Sequence, residues 1–168
     1  EDMPRDCLNP YSVTKVAAED LCKMYSSLWD LQTVIFRYFN VYGERQPTKG
    51  QYAPVIGLFQ KQKEAGGPMT VVGDGEQRRD YTHVSDVAEA NLRAAFIDNT
   101  DAVGEVINVG TGTNHSVNEL TELIGGRREY IPERPGEARE TLADITKLKT
   151  LLRYEPEIKL EDWIKENE

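Results

Sequence analysis

Leu8-Asn9-Pro10-Tyr11-Ser12-Val13-Thr14-Lys15 is the stretch on which the reading of this chain turns. Asn9 can cap a helix through its side-chain oxygen, and Pro10 suits the first helical position, where its missing N–H is no loss. The spacing predicts a helix running to about Leu28. Val13, Ala17, Leu21, Met24 and Leu28 recur at helical intervals and form an apolar stripe that is expected to pack, while Tyr11, Lys15 and Glu19 fall on a different face that stays available. Tyr11 and Lys15 stand one turn apart on that second face. A free phenol, with a pKa of about 10, is a poor base at neutral pH, but a neighbouring ammonium and the positive end of a helix dipole both favour a phenolate. A tyrosine so placed can take a proton from an alcohol as hydride leaves the same carbon, and can return it in the reverse step.

Beyond this helix, Thr33-Val34-Ile35-Phe36-Arg37-Tyr38-Phe39 is rich in β-branched and aromatic residues and stops before Asn40, so it reads as a buried strand. Residues 53–65 have helical spacing and end at Gly66-Gly67-Pro68, after which 70–72 form a short strand closed by Gly73-Asp74-Gly75. Further strands are expected at 79–83, 106–109 and 129–131. A helix from Ser85 carries Val87, Ala88, Leu92, Ala95 and Phe96, and Ser116-Val117-Asn118-Glu119 is a capping box. Asp144 caps a helix bearing Leu148 and Leu152, and a last helix holds Leu160, Trp163 and Ile164. Alternating strands and helices predict an α/β layer structure, but the first long helix has no strand before it to pack on.

With 168 residues, 39% of them hydrophobic, the chain can bury a core without disulfides. The formal net charge of −9 disfavours a general role on nucleic acid or an anionic membrane surface, so an anionic ligand needs local arginines. Cys7 and Cys22 form no C-x-x-C pair, no apolar run reaches membrane-spanning length, and a reducing cytoplasm is the simplest location. His83 and His115 are distant singletons and predict no metal site; His83 reads as structural. Asp80 and Asp86 read as stabilisers of a loop and a helix start, and Trp29 and Trp163 as packing residues.

Asn9-Pro10-Tyr11-Ser12-Val13-Thr14-Lys15 followed by Ala18-Glu19 resembles the active-site helix of the extended short-chain dehydrogenase/reductases, in their NAD-dependent epimerase/dehydratase branch. The strand ending Arg37-Tyr38-Phe39-Asn40-Val41-Tyr42-Gly43 follows at the usual separation. Val72-Gly73-Asp74-Gly75-Glu76-Gln77 with Arg79-Asp80-Tyr81 and His83-Val84-Ser85-Asp86-Val87-Ala88 is similar to the mid-domain block of that family. Asn108-Val109-Gly110 and Arg134-Pro135-Gly136-Glu137 with Ala143-Asp144 are similar to its later blocks.

The resemblance implies a partial Rossmann-type α/β fold across 1–168, made of the end of a doubly wound sheet plus the smaller nucleotide-sugar-binding lobe. It implies that Tyr11 is the acid/base and that Lys15 tunes it and bonds the nicotinamide ribose of NAD. Tyr38 and Phe39 are then expected near the nicotinamide, and Asn40, Val72, Arg79, Arg134 and Glu137 against a nucleotide-diphosphate sugar. The two arginines suit a diphosphate, because guanidinium offers a planar fork of donors.

The phosphate cradle of a dinucleotide fold, a strand followed by a glycine-rich turn and a helix N-terminus, is not found before Tyr11. Gly73 and Gly75, and Gly110 and Gly112, fail the G-x-G-x-x-G pattern. The chain therefore reads as the carboxy-terminal half of such an enzyme, inactive by itself and prone to self-association through faces meant for the other half. Gln51-Tyr52-Ala53-Pro54-Val55-Ile56 after Gly43-Glu44-Arg45-Gln46 favours a UDP-glucose 4-epimerase-like parent. A dTDP-glucose 4,6-dehydratase-like or UDP-glucuronate decarboxylase-like parent, or a non-catalytic nucleotide-sugar binding module, is the alternative. Gly125-Gly126 arrives barely two turns after Ser116, shorter than the family pattern.

Overall fold

A computed structural model describes residues 1–48, 53–96, 100–133 and 135–167. The first helix, α1, spans Pro10–Trp29 and opens with the expected cap: Asn9 Oδ1 accepts from the Ser12 N–H at 3.0 Å, and Ser12 Oγ accepts from the Asn9 N–H. The long strand expected at 33–39 is two strands. β1 (Ile35–Tyr38) pairs in parallel with β6 (Val106–Val109), whereas β2 (Asn40–Tyr42) pairs in parallel with β5 (Tyr81–His83), so the chain changes sheet at Phe39. Between them lie α2 (Val55–Glu64), β3 (Met69–Val72), β4 (Arg78–Arg79) and α3 (Val84–Phe96). After β6 follow β7 (His115–Ser116), α4 (Val117–Ile124), β8 (Arg128–Ile131), α5 (Thr146–Leu151) and α6 (Leu160–Glu166); β3 pairs in parallel with β8, and β4 antiparallel with β7.

This change of partner divides the hydrophobic interior. One core gathers Ile107, Val109, Ala90, Leu148 and Leu152 around β1, β6, α3 and α5, as the end of a doubly wound sheet should. The other gathers Tyr42, Ile56, Phe59, Val71, Leu120 and Trp163 around β2, β3, α2, α4 and α6, the smaller lobe. Ser116 closes its capping box with Glu119, and the short α4 ends at Gly125, whose φ of 72° favours glycine. Asp144 acts one residue earlier than a cap, accepting from the Thr146 N–H, while Ile145 occupies the cap position of α5.

Two buried carboxylates hold the parts together. Asp80, fully buried at the break between β4 and β5, accepts from Thr111 N, Thr111 Oγ1, Gly112 N and Ala143 N at 2.9, 2.9, 3.0 and 3.2 Å. It thereby ties the small lobe to the loop after β6. Gly110 is obligatory here, because a Cβ at that position would run into Ala143 Cβ and Asp80 Oδ2. Asp86, at the start of α3, accepts from Tyr154 Oη at 2.6 Å and from the Glu157 and Ile158 N–H groups.

α1 packs the opposite way from the expectation. Its buried residue is Glu19, while Val13, Leu21 and Leu28 of the apolar stripe are exposed. Ala17 is exposed as well, and Met24 half-buried. No described element lies on the stripe, whereas the other face meets Arg37 of β1, whose Nε and Nη2 grip Glu19 at 2.6 and 2.8 Å. Trp29, also exposed, leans against Tyr25 with the ring planes tilted by 37°, instead of entering a core.

The Arg37 hydrogen bonds draw the Glu19 carboxyl below the usual range against the opposing effect of burial. A depressed carboxylate contributes stability above its ordinary value, and that contribution is lost as pH falls through the folded value. Docking of α1 on β1 is therefore expected to weaken below about pH 4. Amide exchange across residues 10–29 measures this: protection should fall with pH in the parent chain and stay low and flat in Glu19→Gln.

Candidate active site

β2 ends one wall of a cavity of about 620 Å³ lined by Tyr11, Asn40, Tyr42, Phe59, Thr70, Val72, Gln77, Arg79, Tyr81 and Glu137, among others. Five of the residues singled out in the sequence, Tyr11, Asn40, Val72, Arg79 and Glu137, thus meet around one space. Each arrives by a different route. Tyr11 is placed by the first turn of α1, Asn40 by the start of β2, Val72 by the end of β3, Arg79 by β4, and Glu137 by the loop after β8.

Alternation along β4 decides between the adjacent arginines, since neighbouring residues of a strand point to opposite sides. Arg78 turns away and donates to Glu119 Oε1 and Oε2 and to Asn114. Arg79 turns into the cavity, its side chain 14% exposed, with Nη1 donating to the Arg78 carbonyl at 2.8 Å and Nη2 lying 3.8 Å from Glu137 Oε2. A guanidinium held on one side by a carbonyl and loosely paired on the other keeps donors for an anion. Beside it, the Arg139 guanidinium holds the exposed Asp74 carboxyl down to about 2, fixing the adjoining loop. Arg134 lies outside the described residues, as do Gln51 and Tyr52.

Tyr11 is exposed, and Lys15 Nζ lies over its ring, 5.2 Å from the centroid. The amine is thus a cation against the aromatic face, as one turn of helix dictates. Lys15 does not line the cavity.

Phe39 lines a second space, of about 900 Å³, together with Tyr38, Asn108, Thr141 and Leu142. Asn40 borders both spaces and stands at their junction. The Tyr38 ring is turned towards α3, where Oη donates to Asn91 Oδ1 at 3.0 Å. The glycines after β6 lead into β7, so among the described residues they form no strand, glycine turn and helix start of the kind that receives a pyrophosphate.

Gln77, Thr70, Tyr42 and Tyr81 were not singled out in the sequence as site residues. Burial pushes the Tyr42 and Tyr81 phenols up and keeps them neutral members of the wall. His83 is buried, accepts from the Ser85 N–H through Nδ1, and faces Glu44, which also accepts from Trp163 Nε1 at 2.9 Å. Among the described residues no cluster of His, Cys, Asp or Glu could hold a metal ion, and no helix is long and apolar enough to cross a membrane.

Tyr11, with a cation over its ring, and Arg79 thus line one cavity. The chain belongs to the NAD dependent epimerase/dehydratase family, whose model matches residues 1–110. Among relatives, a provisionally named UDP-glucose 4-epimerase of Methanocaldococcus jannaschii is 40% identical over 98% of this chain and 54% of its own length. The UDP-glucose 4-epimerase of Mycolicibacterium smegmatis is 36% identical over 98% of this chain and 53% of its own. Among solved structures, UDP-glucuronic acid 4-epimerase from Bacillus cereus in complex with UDP-glucuronic acid and NAD superposes with a TM-score of 0.87 at 34% identity, covering 98% of this chain and 53% of that one. The chain spans about half the length of the curated relatives it matches, and a UDP-sugar decarboxylase is among them.

Proposed function

We propose that the cavity binds a UDP-sugar and that the chain is the substrate-binding, acid/base-bearing part of a nucleotide-sugar 4-epimerase. The observation that carries this reading is the convergence of Tyr11, Asn40, Val72, Arg79 and Glu137, from distant parts of the chain, on one cavity. Arg79 supplies the fork of donors for the diphosphate, and Glu137 accepts from a ribose or sugar hydroxyl. Val72 borders the base: β3 pairs with β8 along one edge, so its other edge offers main-chain groups to the cavity. Tyr11 Oη takes the proton of the sugar hydroxyl as its carbon loses hydride and returns a proton when hydride comes back to the opposite face. Lys15 places a cation where negative charge develops.

NAD, when bound, supplies the hydride acceptor and donor. Tyr11, Lys15, Tyr38 and Phe39 would hold its nicotinamide end beside Asn40, whereas its pyrophosphate finds no cradle among the described residues. The exposed stripe of α1 and the edge of β1 that is unpaired among the described residues would be covered by the dinucleotide-binding half or by a second copy of the chain. A decarboxylase reading is kept by the UDP-sugar decarboxylase among the relatives.

Calorimetry with UDP-glucose, with and without added NAD, tests the proposal. Saturable binding of one UDP-glucose per chain, without turnover and without stoichiometric NAD in the purified 168-residue protein, is expected. Absence of UDP-glucose binding contradicts the site; tightly retained NAD contradicts the division of labour.

A further inference from the structure

The loop that carries Glu137 to the cavity is fastened from outside it. Glu137 pairs only loosely with Arg79, at 3.8 Å, so its own side chain does not hold the loop in place. Two residues further on, Arg139 does. Its Nη1 and Nη2 donate to Asp74 Oδ1 and Oδ2 at 2.8 and 2.9 Å, and its carbonyl accepts from the Arg78 N–H at 2.9 Å. One residue thus ties the loop both to β4 and to the turn after β3. That turn is a firm anchor: Asp74 Oδ1 also accepts from the Glu76 N–H at 2.9 Å, and Asn118 of α4 donates to the Asp74 and Gly75 carbonyls at 3.0 and 2.9 Å. The Arg139 hydrogen bonds hold the Asp74 carboxyl down to about 2, so both partners are ionised at neutral pH. Between turn and loop lies a small space of about 120 Å³, bordered by Val72, Gln77 and Glu137, three residues that also line the main cavity.

We propose that Asp74 and Arg139 are a positioning pair, a latch that closes the loop after β8 on the turn after β3 and so presents Glu137 to the ligand. This rests on the nucleotide-sugar reading of the cavity. Neither residue of the pair lines that cavity. An exposed ion pair contributes little to stability, because water screens it and two side chains are immobilised. Ordering a binding loop before the ligand arrives is a different use of the same pair, since it removes the ordering cost from association. A two-pronged guanidinium–carboxylate contact suits that use, because the fork fixes direction as well as distance. Electrostatics alone makes the opposite forecast for Asp74: a carboxylate near a diphosphate repels it, so its neutralisation would tighten binding.

The experiment measures UDP-glucose affinity by calorimetry for the full chain, for Asp74→Asn, Arg139→Gln and the two combined, and for Glu137→Ala with and without Asp74→Asn. Asp74→Asn keeps the acceptor for the Glu76 N–H and removes the charge. It should weaken binding about three- to fivefold, and so should Arg139→Gln. The combined variant should be weaker by that same factor and not by the product, because either change alone opens the latch. With Glu137→Ala in place, Asp74→Asn should shift affinity by less than about 1.5-fold, since the group that the latch presents is gone. Tighter or unchanged binding in Asp74→Asn overturns the inference while leaving the nucleotide-sugar site intact. Effects that multiply in the combined variant, or an undiminished effect in Glu137→Ala, overturn it as well. If Asp74→Asn does not fold, Arg139→Gln decides, and unchanged affinity there is the contrary result. Failure of the parent chain to bind UDP-glucose at all overturns both readings together.

Discussion

Replacing Asp80 by alanine is expected to destabilise the chain by about 3–5 kcal/mol, enough to unfold most small domains at moderate urea. The side chain is completely buried and accepts from three main-chain N–H groups and one hydroxyl. Its removal leaves those main-chain donors dry and unpaired, and each costs about 1–3 kcal/mol. It also opens a space where Gly110 and Ala143 approach each other. Asp80→Asn keeps the volume but turns one acceptor into a donor facing N–H groups, so it should cost less than alanine and still be clearly destabilising. Urea denaturation followed by tryptophan fluorescence reports both values; a midpoint that does not move would mean that the two lobes are not joined through this carboxylate.

Replacing Arg79 by alanine should weaken UDP-glucose binding roughly 10- to 100-fold, the range for a charge-assisted hydrogen-bonding group facing a phosphate. Arg78→Ala is the matched control. Its guanidinium is spent on Glu119 and Asn114 and points away from the cavity, so it should lower stability and leave affinity within about twofold. Reversal of these two results would place the anion on the other face of β4.

Residues close in sequence told most of this in advance. Asn9, Pro10 and the Tyr11–Lys15 spacing are local features, and the cap, the helix and the one-turn separation appear as read. The strand at 106–109 was legible for the same reason, from Val106, Ile107 and Val109, three β-branched residues around Asn108. The burial of α1 was not. Val13, Leu21 and Leu28 form a genuine stripe, but periodicity names the face that prefers a partner without saying whether one is at hand, and here an ion pair with Arg37 seats the helix on its other side. The split at Phe39 was hidden too, because both strands share one β-prone run and the change of partner is decided by β5 and β6, far along the chain. The cavity residues legible from local motifs were Tyr11, Asn40, Arg79 and Glu137, with Val72 marked by the glycine-rich block that follows it. Thr70 and Gln77 escaped notice because their contribution is the exposure or masking of main-chain groups, which no residue type announces.

The measurement that bears most directly on the proposed site is amide mapping of the isotope-labelled chain during titration with UDP-glucose. Saturable shifts concentrated at Tyr11, Asn40, Val72, Arg79 and Glu137 are expected, with the groove between β1 and α3 around Phe36 and Asn91 unmoved. Shifts confined to that groove, or none that saturate, would contradict the account.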